Sequence, residues 1–270
     1  GTAKYLDDME FPNLLYGKIL RSPHPHARIL HIDTSKAEAV PGVKAIITAK
    51  DTPGRKFGME IPDVDVLAVD KVRYVGDEVA AVAADTEDIA EEAISRIEVE
   101  YELLPVVDDP ETAMKPGAPL VHENAKNNIA KEYHLSRGNV EADFASCDYV
   151  FEHEFSTHRV SGLYLEPFGA VAWWGSDGRP SKKAKMKRAL GIDPSRITLK
   201  SPYVGGGFGA KIWLRNFHPI AAILAQKAGQ PVKIVLTREE EQLTTRPRVA
   251  PRMHVKLGMM KRSEERRVGK

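Results

Sequence analysis

Short runs of alternating or continuous apolar residues divide the first hundred positions. Residues 14–20 and 27–32 read as strands, separated by Ser22-Pro23-His24-Pro25-His26, a stretch its prolines hold extended. Residues 43–48 and 79–83 read as two more. After Asp85, Thr86 is placed to cap a helix in which Ile89, Ala93, Ile94 and Ile97 recur on one face. Residues 98–103 return to alternation, as an exposed strand. This ordering predicts an α+β module over residues 1–105.

Between residues 105 and 128 the prolines at 105, 110, 116 and 119 and the pair Asn127-Asn128 read as a linker, with a second domain beginning near Ile129. Residues 149–155 alternate as a half-buried strand, residues 170–174 supply another, and residues 196–200 a third. A glycine-rich turn follows. Beyond it Ile220, Ile223, Leu224 and Ala228 form one apolar helical face, and Gly229 suits the helix end. Residues 232–236 read as a buried strand, residues 237–241 as a capped first helical turn with Glu239, Glu240 and Glu241 in solvent, and residues 253–257 as a last strand. The expected division is two domains meeting at residues 105–130, with the glycine turn on the second.

Composition narrows the functional classes. With 270 residues and 42% hydrophobic content the chain can bury one or two cores. Thirty-nine basic against 38 acidic residues leave a net charge of +1, so no global field recruits nucleic acid or lipid. A single cysteine, Cys147, excludes an internal disulfide and an iron–sulfur cluster held by this chain alone, and fits a reducing, cytoplasmic compartment. No apolar run is long enough to span a membrane.

The candidate chemistry centres on Gly205-Gly206-Gly207-Phe208-Gly209-Ala210-Lys211. Four glycines in five residues allow positive φ and bring backbone N–H groups close to a ligand, and Phe208 is either a core plug or a wall beside that ligand. Three readings stay open: a tight strand-to-helix connection, a relaxed dinucleotide fingerprint, and a cradle for another anion or oxo group. The second lacks its acidic residue about 20 positions on, where Gln226 and Lys227 stand. A phosphate loop is excluded, because Ile212 rather than Ser or Thr follows Lys211. His24 and His26 have no third ligand at metal spacing, and Asp7 and Asp8 point apart on an extended chain. Glu166 is a further candidate for lining the site. In Arg246-Pro247-Arg248 a guanidinium could orient a carboxylate, phosphate or carbonyl. The basic run at residues 182–188 has no interleaved aromatics and reads as a solvated helix face.

The glycine loop resembles the molybdopterin-contacting loop of the molybdenum hydroxylases, the xanthine dehydrogenase and aldehyde oxidase family with its relative 4-hydroxybenzoyl-CoA reductase. Residues 15–29 (LYGKILRSPHPHARI), 75–83 (VGDEVAAVA) and Leu165-Glu166-Pro167 are similar to that family's large subunit, in the same order. The resemblance implies a hammerhead-like α/β domain over residues 1–105, a linker at 106–128 and part of a molybdopterin-binding α+β domain at 129–261. It implies Gly206, Gly207, Phe208 and Gly209 as cofactor-binding residues, and Ile212 and Arg248 as substrate-facing ones. Ile212 stands where the purine-oxidising members place a glutamate, which favours aldehydes, aromatic heterocycles or aromatic thioesters over purines. The cofactor expected is molybdenum-molybdopterin, including its cytosine dinucleotide form. Iron–sulfur clusters and FAD are expected on other domains or subunits, as partners in a hetero-oligomer acting on a small molecule, with neither nucleic acid nor membrane involved.

The resemblance also marks departures. After Asp177-Gly178-Arg179 the family has a strand ending in a cofactor-contacting glutamine, and here the basic run follows directly. Residues 262–270 resemble a translated sequencing adapter, and the family's catalytic glutamate belongs to a motif beyond Lys270, so no residue here is assigned the catalytic role. An amino-terminal fragment is therefore expected, inactive alone. Its second domain is expected to leave Ile220, Ile223 and Leu224 open to solvent, with residues 79–83 protected and residues 232–236 not.

Overall fold

The run Glu-Val-Ala-Ala-Val-Ala-Ala at residues 78–84 is buried at every position, so its strand must be covered on both faces. The computed structural model, which describes residues 1–58, 61–174, 189–193, 197, 201 and 203–261, shows how. Its first elements are β1 (Leu15–Arg21), β2 (Ala27–Asp33), α1 (Ser35–Glu38), β3 (Val43–Thr48), β4 (Lys71–Val72), β5 (Glu78–Ala84), α2 (Glu87–Ser95), β6 (Glu98–Leu103) and α3 (Pro110–Ala113). There follow α4 (Val140–Ala145), β7 (Tyr149–Ser156), β8 (Gly169–Ala172), α5 (Phe217–Ala228), β9 (Val232–Val235), α6 (Arg238–Thr244) and β10 (Arg252–Met259). Two compact units result: Gly1–Asn128 with Gly162–Arg246, and Ile129–Ser161 with Pro247 onward.

The first unit is built on a five-stranded sheet, ordered β3-β5-β1-β9-β8. Period-two alternation sorts its side chains. Ala81 and Ala83 of β5, with Leu15, Ile47, Val232 and Ile234, meet Ile220, Leu224 and Phe217 of α5. Ala80 and Val82 face the opposite way, onto Ala93 and Ile97 around α2. Helix α2 starts where Thr86 accepts from the Ile89 N–H, and α5 ends on Gly229 in the left-handed region at φ 67°. A smaller sheet, β4-β2-β6, lies in the same unit.

The expected exposure of the helix after the glycine loop is wrong. Ile220 and Leu224 are 0% exposed and Ile223 is 7%, because α5 packs on a sheet that combines β1, β3 and β5 of residues 1–105 with β8 and β9. Strand β9 is not a poorly protected edge either. It runs parallel to β1, Leu15 opposite Val232, and antiparallel to β8, so both its edges are paired. Ala81 and Ala83 thus share one core with Val232, Ile234 and Leu236.

In the second unit β7 and β10 form an antiparallel pair, with Tyr149 opposite Met259 and Ser156 opposite Arg252. All eight residues of β7 are exposed, not half-buried as the alternation suggests. Gly258 lets α4 approach, since a Cβ there would lie 2.5 Å from Cys147 Sγ and 3.0 Å from Phe144.

The turn before β5 holds a half-buried acid. Asp77 Oδ2 accepts from the Arg73 N–H at 2.9 Å, while the Asp77 carbonyl accepts from the Ser22 N–H at 2.9 Å. Burial, then the neighbouring Glu78 charge, push the Asp77 carboxyl up to about 7. The folded state therefore binds the proton more tightly than the unfolded chain, so between the two pKa values stability falls as pH rises. Asp77→Asn should remove this loss, leaving a flatter stability–pH curve between about pH 4 and 7, read from urea midpoints. An unchanged slope would show that Asp77 is charged when folded. Ile234→Ala should cost about 2–4 kcal/mol, and Leu257→Ala on exposed β10 within about 0.5 kcal/mol, both by denaturant unfolding.

Candidate functional site

The glycine loop lies in the first unit against residues 164–168. A Cβ at Gly205 would stand 2.6 Å from the Glu166 Cβ, one at Gly206 3.1 Å from the Tyr164 Cβ, and one at Gly207 3.2 Å from the Lys211 Cβ. Gly206 and Gly209 have φ of 95° and 88°, and Phe208 joins them at 46°. Gly205 and Gly207 are thus favoured by close approach, Gly209 by conformation and Gly206 by both.

Glu166 ties this backbone down. Its Oε2 accepts from the Gly205 N–H at 2.8 Å and from Lys211 Nζ at 2.7 Å. Lys211 Nζ also donates to the Glu166 carbonyl at 2.8 Å, and the Glu166 N–H donates to the Gly205 carbonyl at 3.2 Å. The ammonium lies 4.8 Å from the Tyr164 ring centre, a cation–π placement. Burial pushes the Glu166 carboxyl up, but the Lys211 and Gly205 donors outweigh it and hold the group below its ordinary value.

With Gly205 engaged and the Ala210 N–H donating to the Gly207 carbonyl at 2.7 Å, the N–H groups of Gly206, Gly207, Phe208 and Gly209 have no acceptor among the described residues. Consecutive unpaired donors on a glycine backbone suit an anionic or oxo group. Around them Phe208 is 80% exposed and Ile212, closing the short 3-10 turn Ala210–Ile212, is 71%. The site therefore pairs backbone donors with apolar walls.

The segment facing the loop is held in turn by α6. Thr237 and Glu240 form a reciprocal cap at its start. Arg238 Nη1 donates to the Tyr164 carbonyl at 2.8 Å and its Nη2 to the Leu165 carbonyl at 2.9 Å. Glu241, only 3% exposed, accepts from the Phe168 N–H at 2.6 Å and from Arg238 at 2.5 Å. Glu240 accepts from Arg21 Nε at 2.8 Å, and Arg21 also pairs with Glu78 at 2.9 Å. The reading of Glu239 to Glu241 as a solvated turn thus fails for Glu240 and Glu241, which meet buried partners from distant sequence.

Gly206, Gly207, Phe208, Gly209 and Ile212 come together. Arg248 lies in the second unit, where its backbone exchanges hydrogen bonds with Val160. Glu166 is the loop's anchor, and the signal for it was its Leu-Glu-Pro context; nothing local pointed to Arg238 or Glu241. His24 packs edge-on against Tyr101 at 5.0 Å, and His26 Nδ1 lies 2.7 Å from the Pro105 carbonyl oxygen. Asp8 accepts from the Tyr5 N–H in a turn. Among the described residues no group of three or more His, Cys, Asp or Glu could hold a metal ion. The backbone donors of the loop suit an anionic or oxo group. A dinucleotide fingerprint needs a helix opening at the loop, whereas α5 opens at Phe217. The predicted strand at residues 196–200, apart from Ile197, and the basic run, the missing strand and the tail at 262–270 lie outside the described residues.

Removing the cation tests the anchor. Lys211→Met should raise the Glu166 pKa and weaken the fold by about 1–3 kcal/mol, since it strands a partly buried carboxylate. The loss should be largest above the Glu166 pKa and fade as acid protonates it. NMR titration of the Glu166 side chain and denaturant midpoints at two pH values read both effects.

Comparison with known proteins agrees with this geometry. Residues 1–105 match the family model for the aldehyde oxidase and xanthine dehydrogenase a/b hammerhead domain. Residues 121–264 match the molybdopterin cofactor-binding domain. The chain is 45% identical over 251 residues to a probable xanthine dehydrogenase subunit of Bacillus subtilis, covering 89% of this chain and 33% of that protein. It is 36% identical over 272 residues to the nicotinate dehydrogenase large molybdopterin subunit of Eubacterium barkeri, covering 97% and 63%. The aldehyde oxidoreductase of Desulfovibrio gigas superposes with a TM-score of 0.86 at 26% identity, over 96% of this chain and 31% of that one. The chain thus spans less than two thirds of each of these relatives. With both family models matched in order and the α+β fold shared, the chain belongs to the molybdopterin-binding large subunits of the xanthine dehydrogenase and aldehyde oxidase family.

Proposed function

We propose that this chain supplies the molybdopterin-cradling loop of a molybdenum-dependent hydroxylase acting on an aldehyde, an aromatic heterocycle or an aromatic thioester. The observation that carries the reading is the set of N–H groups on Gly206, Gly207, Phe208 and Gly209 that have no acceptor among the described residues, on a backbone that Glu166 and Lys211 hold in place. When bound, the molybdenum cofactor supplies the two-electron redox centre for hydroxylating an electron-poor carbon. The chain's own part is to bind and orient. Preorganised backbone donors stabilise charge without reorganising. Phe208 supplies an apolar wall, and Ile212 offers no acceptor for a purine N–H, which supports an apolar substrate. For Arg248 the support is the family resemblance and a guanidinium suited to a carbonyl or carboxylate.

In this reading residues 1–105 are the hammerhead-like domain, 106–128 the linker and 129–261 the beginning of the cofactor domain. Electrons leave through iron–sulfur clusters and FAD on other domains or subunits of a cytoplasmic hetero-oligomer, without nucleic acid or membrane. The relatives' names as subunits support the assembly, and no helix among the described residues is long and apolar enough to cross a membrane.

Gly206→Val provides the test. A β-branched side chain at φ 95° is strained and its Cβ meets Tyr164, so the variant should lose molybdopterin at least about tenfold more readily. Pterin fluorescence of wild type and variant, purified from a molybdopterin-producing host, measures this. Equal pterin content in two well-folded proteins would reject the reading.

A further inference from the structure

Three groups of side chains outside the cofactor loop invite a role: the apolar face of β7 and β10, the buried Arg215 beside Arg246, and the Arg238–Glu241 pair of α6. Nothing shows what covers the strand pair. Arg215 Nε and Nη2 are buried without partners among the described residues, but no ligand chemistry converges on them there. The α6 pair is different, because each of its bonds ends on the segment that shapes the loop.

We infer that Glu241, acting with Arg238, is a positioning residue that sets the glycine loop through residues 164–168. Glu241 reaches this segment by two routes. Its Oε1 accepts from the Phe168 N–H at 2.6 Å. Its Oε2 holds Arg238 at 2.5 Å, and Arg238 spans the Tyr164 and Leu165 carbonyls at 2.8 and 2.9 Å. The planar guanidinium suits this two-carbonyl grip, which one ammonium could not reproduce.

Tyr164 and Glu166 then transmit the position. Tyr164 is the side chain that a Cβ at Gly206 would meet at 3.1 Å, and its ring receives the Lys211 ammonium. Glu166 holds the Gly205 N–H and Lys211. Leu163, just before the clamped segment, sits at a φ of 39°. A non-glycine residue keeps such a conformation only where its surroundings impose it. Arg21, bonded to Glu240 and Glu78, fixes the start of α6 to β1 and β5. The loop is therefore referenced to the central sheet through successive polar contacts rather than through its own short turn.

The inference rests on the molybdopterin reading for its consequence, but not for its structural content, and the experiment separates the two. Full-length chains carrying Glu241→Gln, Arg238→Lys and, as a control on the same helix, Leu243→Ala would be compared by amide hydrogen exchange and by molybdopterin retention. Glu241→Gln keeps the volume and an acceptor for Phe168 but loses the charge on Arg238. It should speed exchange at the hydrogen-bonded loop amides of Gly205 and Ala210 about tenfold while β5 and β9 stay as slow as in wild type. Arg238→Lys should act in the same direction and more weakly, and Leu243→Ala should leave the loop amides unmoved. Molybdopterin release should accelerate in the same rank order.

Loop exchange unchanged in Glu241→Gln, or accelerated equally in the loop, β5 and β9, would overturn the positioning role and leave only a structural one. If Glu241→Gln fails to fold, Arg238→Lys decides by the same comparison, loop against sheet. If the loop amides respond as expected but wild type retains no molybdopterin, the positioning stands and the cofactor reading falls.

Discussion

The Glu166 carboxylate joins three things that have no other reason to meet: a glycine backbone, a lysine six residues along the same loop from Gly205, and the strand-leading segment at residues 164–168. Both side chains of the ion pair are 16% exposed, so each charge gives up much of its hydration. A buried pair of this kind is weak evidence for net stability, since desolvation offsets the attraction. Its effect is on specificity. Once buried, the carboxylate is satisfied only with both donors in place, and that excludes loop conformations in which either is absent. The geometry of residues 205–211 thus follows from the needs of one buried anion.

That anion could not be positioned without the sheet. Residues 164–168 lead into β8, which pairs with β9, which in turn runs beside β1. The parallel β1–β9 pairing brings residues 15 and 232 together across most of the chain. Long-range pairing is entropically slow to form but fixes register through buried Leu15, Val232 and Ile234. Helix α5 then covers one face of this sheet and α2 the other. The alanines of β5 serve both, being small enough for helices to pack closely on either side.

Much of this was legible in the sequence, and the illegible parts share a cause. The strands β1, β2, β3 and β5 and the helix α2 follow from local periodicity, and Gly229 marks the end of α5 by its left-handed backbone. The glycine loop was legible because only conformation and close approach explain four glycines in five residues. Local pattern has no access to pairing partners. Residues 232–236 read correctly as a strand, yet their partners lie more than 200 residues away in β1 and about 60 away in β8, so protection was misjudged. The same limit hid Glu241. A carboxylate in the first turn of a capped helix is normally in solvent, and only the return of Phe168 and Arg238 shows why this one is buried.

The loop's supports can be weighed against its entropy. Each glycine costs roughly 0.5–1 kcal/mol more than alanine to order, so four cost about 2–4 kcal/mol before any ligand arrives. A hydrogen bond to a charged group contributes about 1.5–3 kcal/mol. The two donors on the Glu166 carboxylate therefore match the entropy of the loop in magnitude, with little excess. If Glu166 were itself free to move, that near-balance would be lost, because ordering its own segment would add to the cost. The contacts from α6 to residues 164, 165 and 168 place that ordering in the fold of the sheet and helix, where it is already complete. Backbone donors aimed at an anion are effective only when held in place beforehand, and in this chain the holding is done by side chains drawn from β1, the 164–168 segment and α6 rather than by the loop itself.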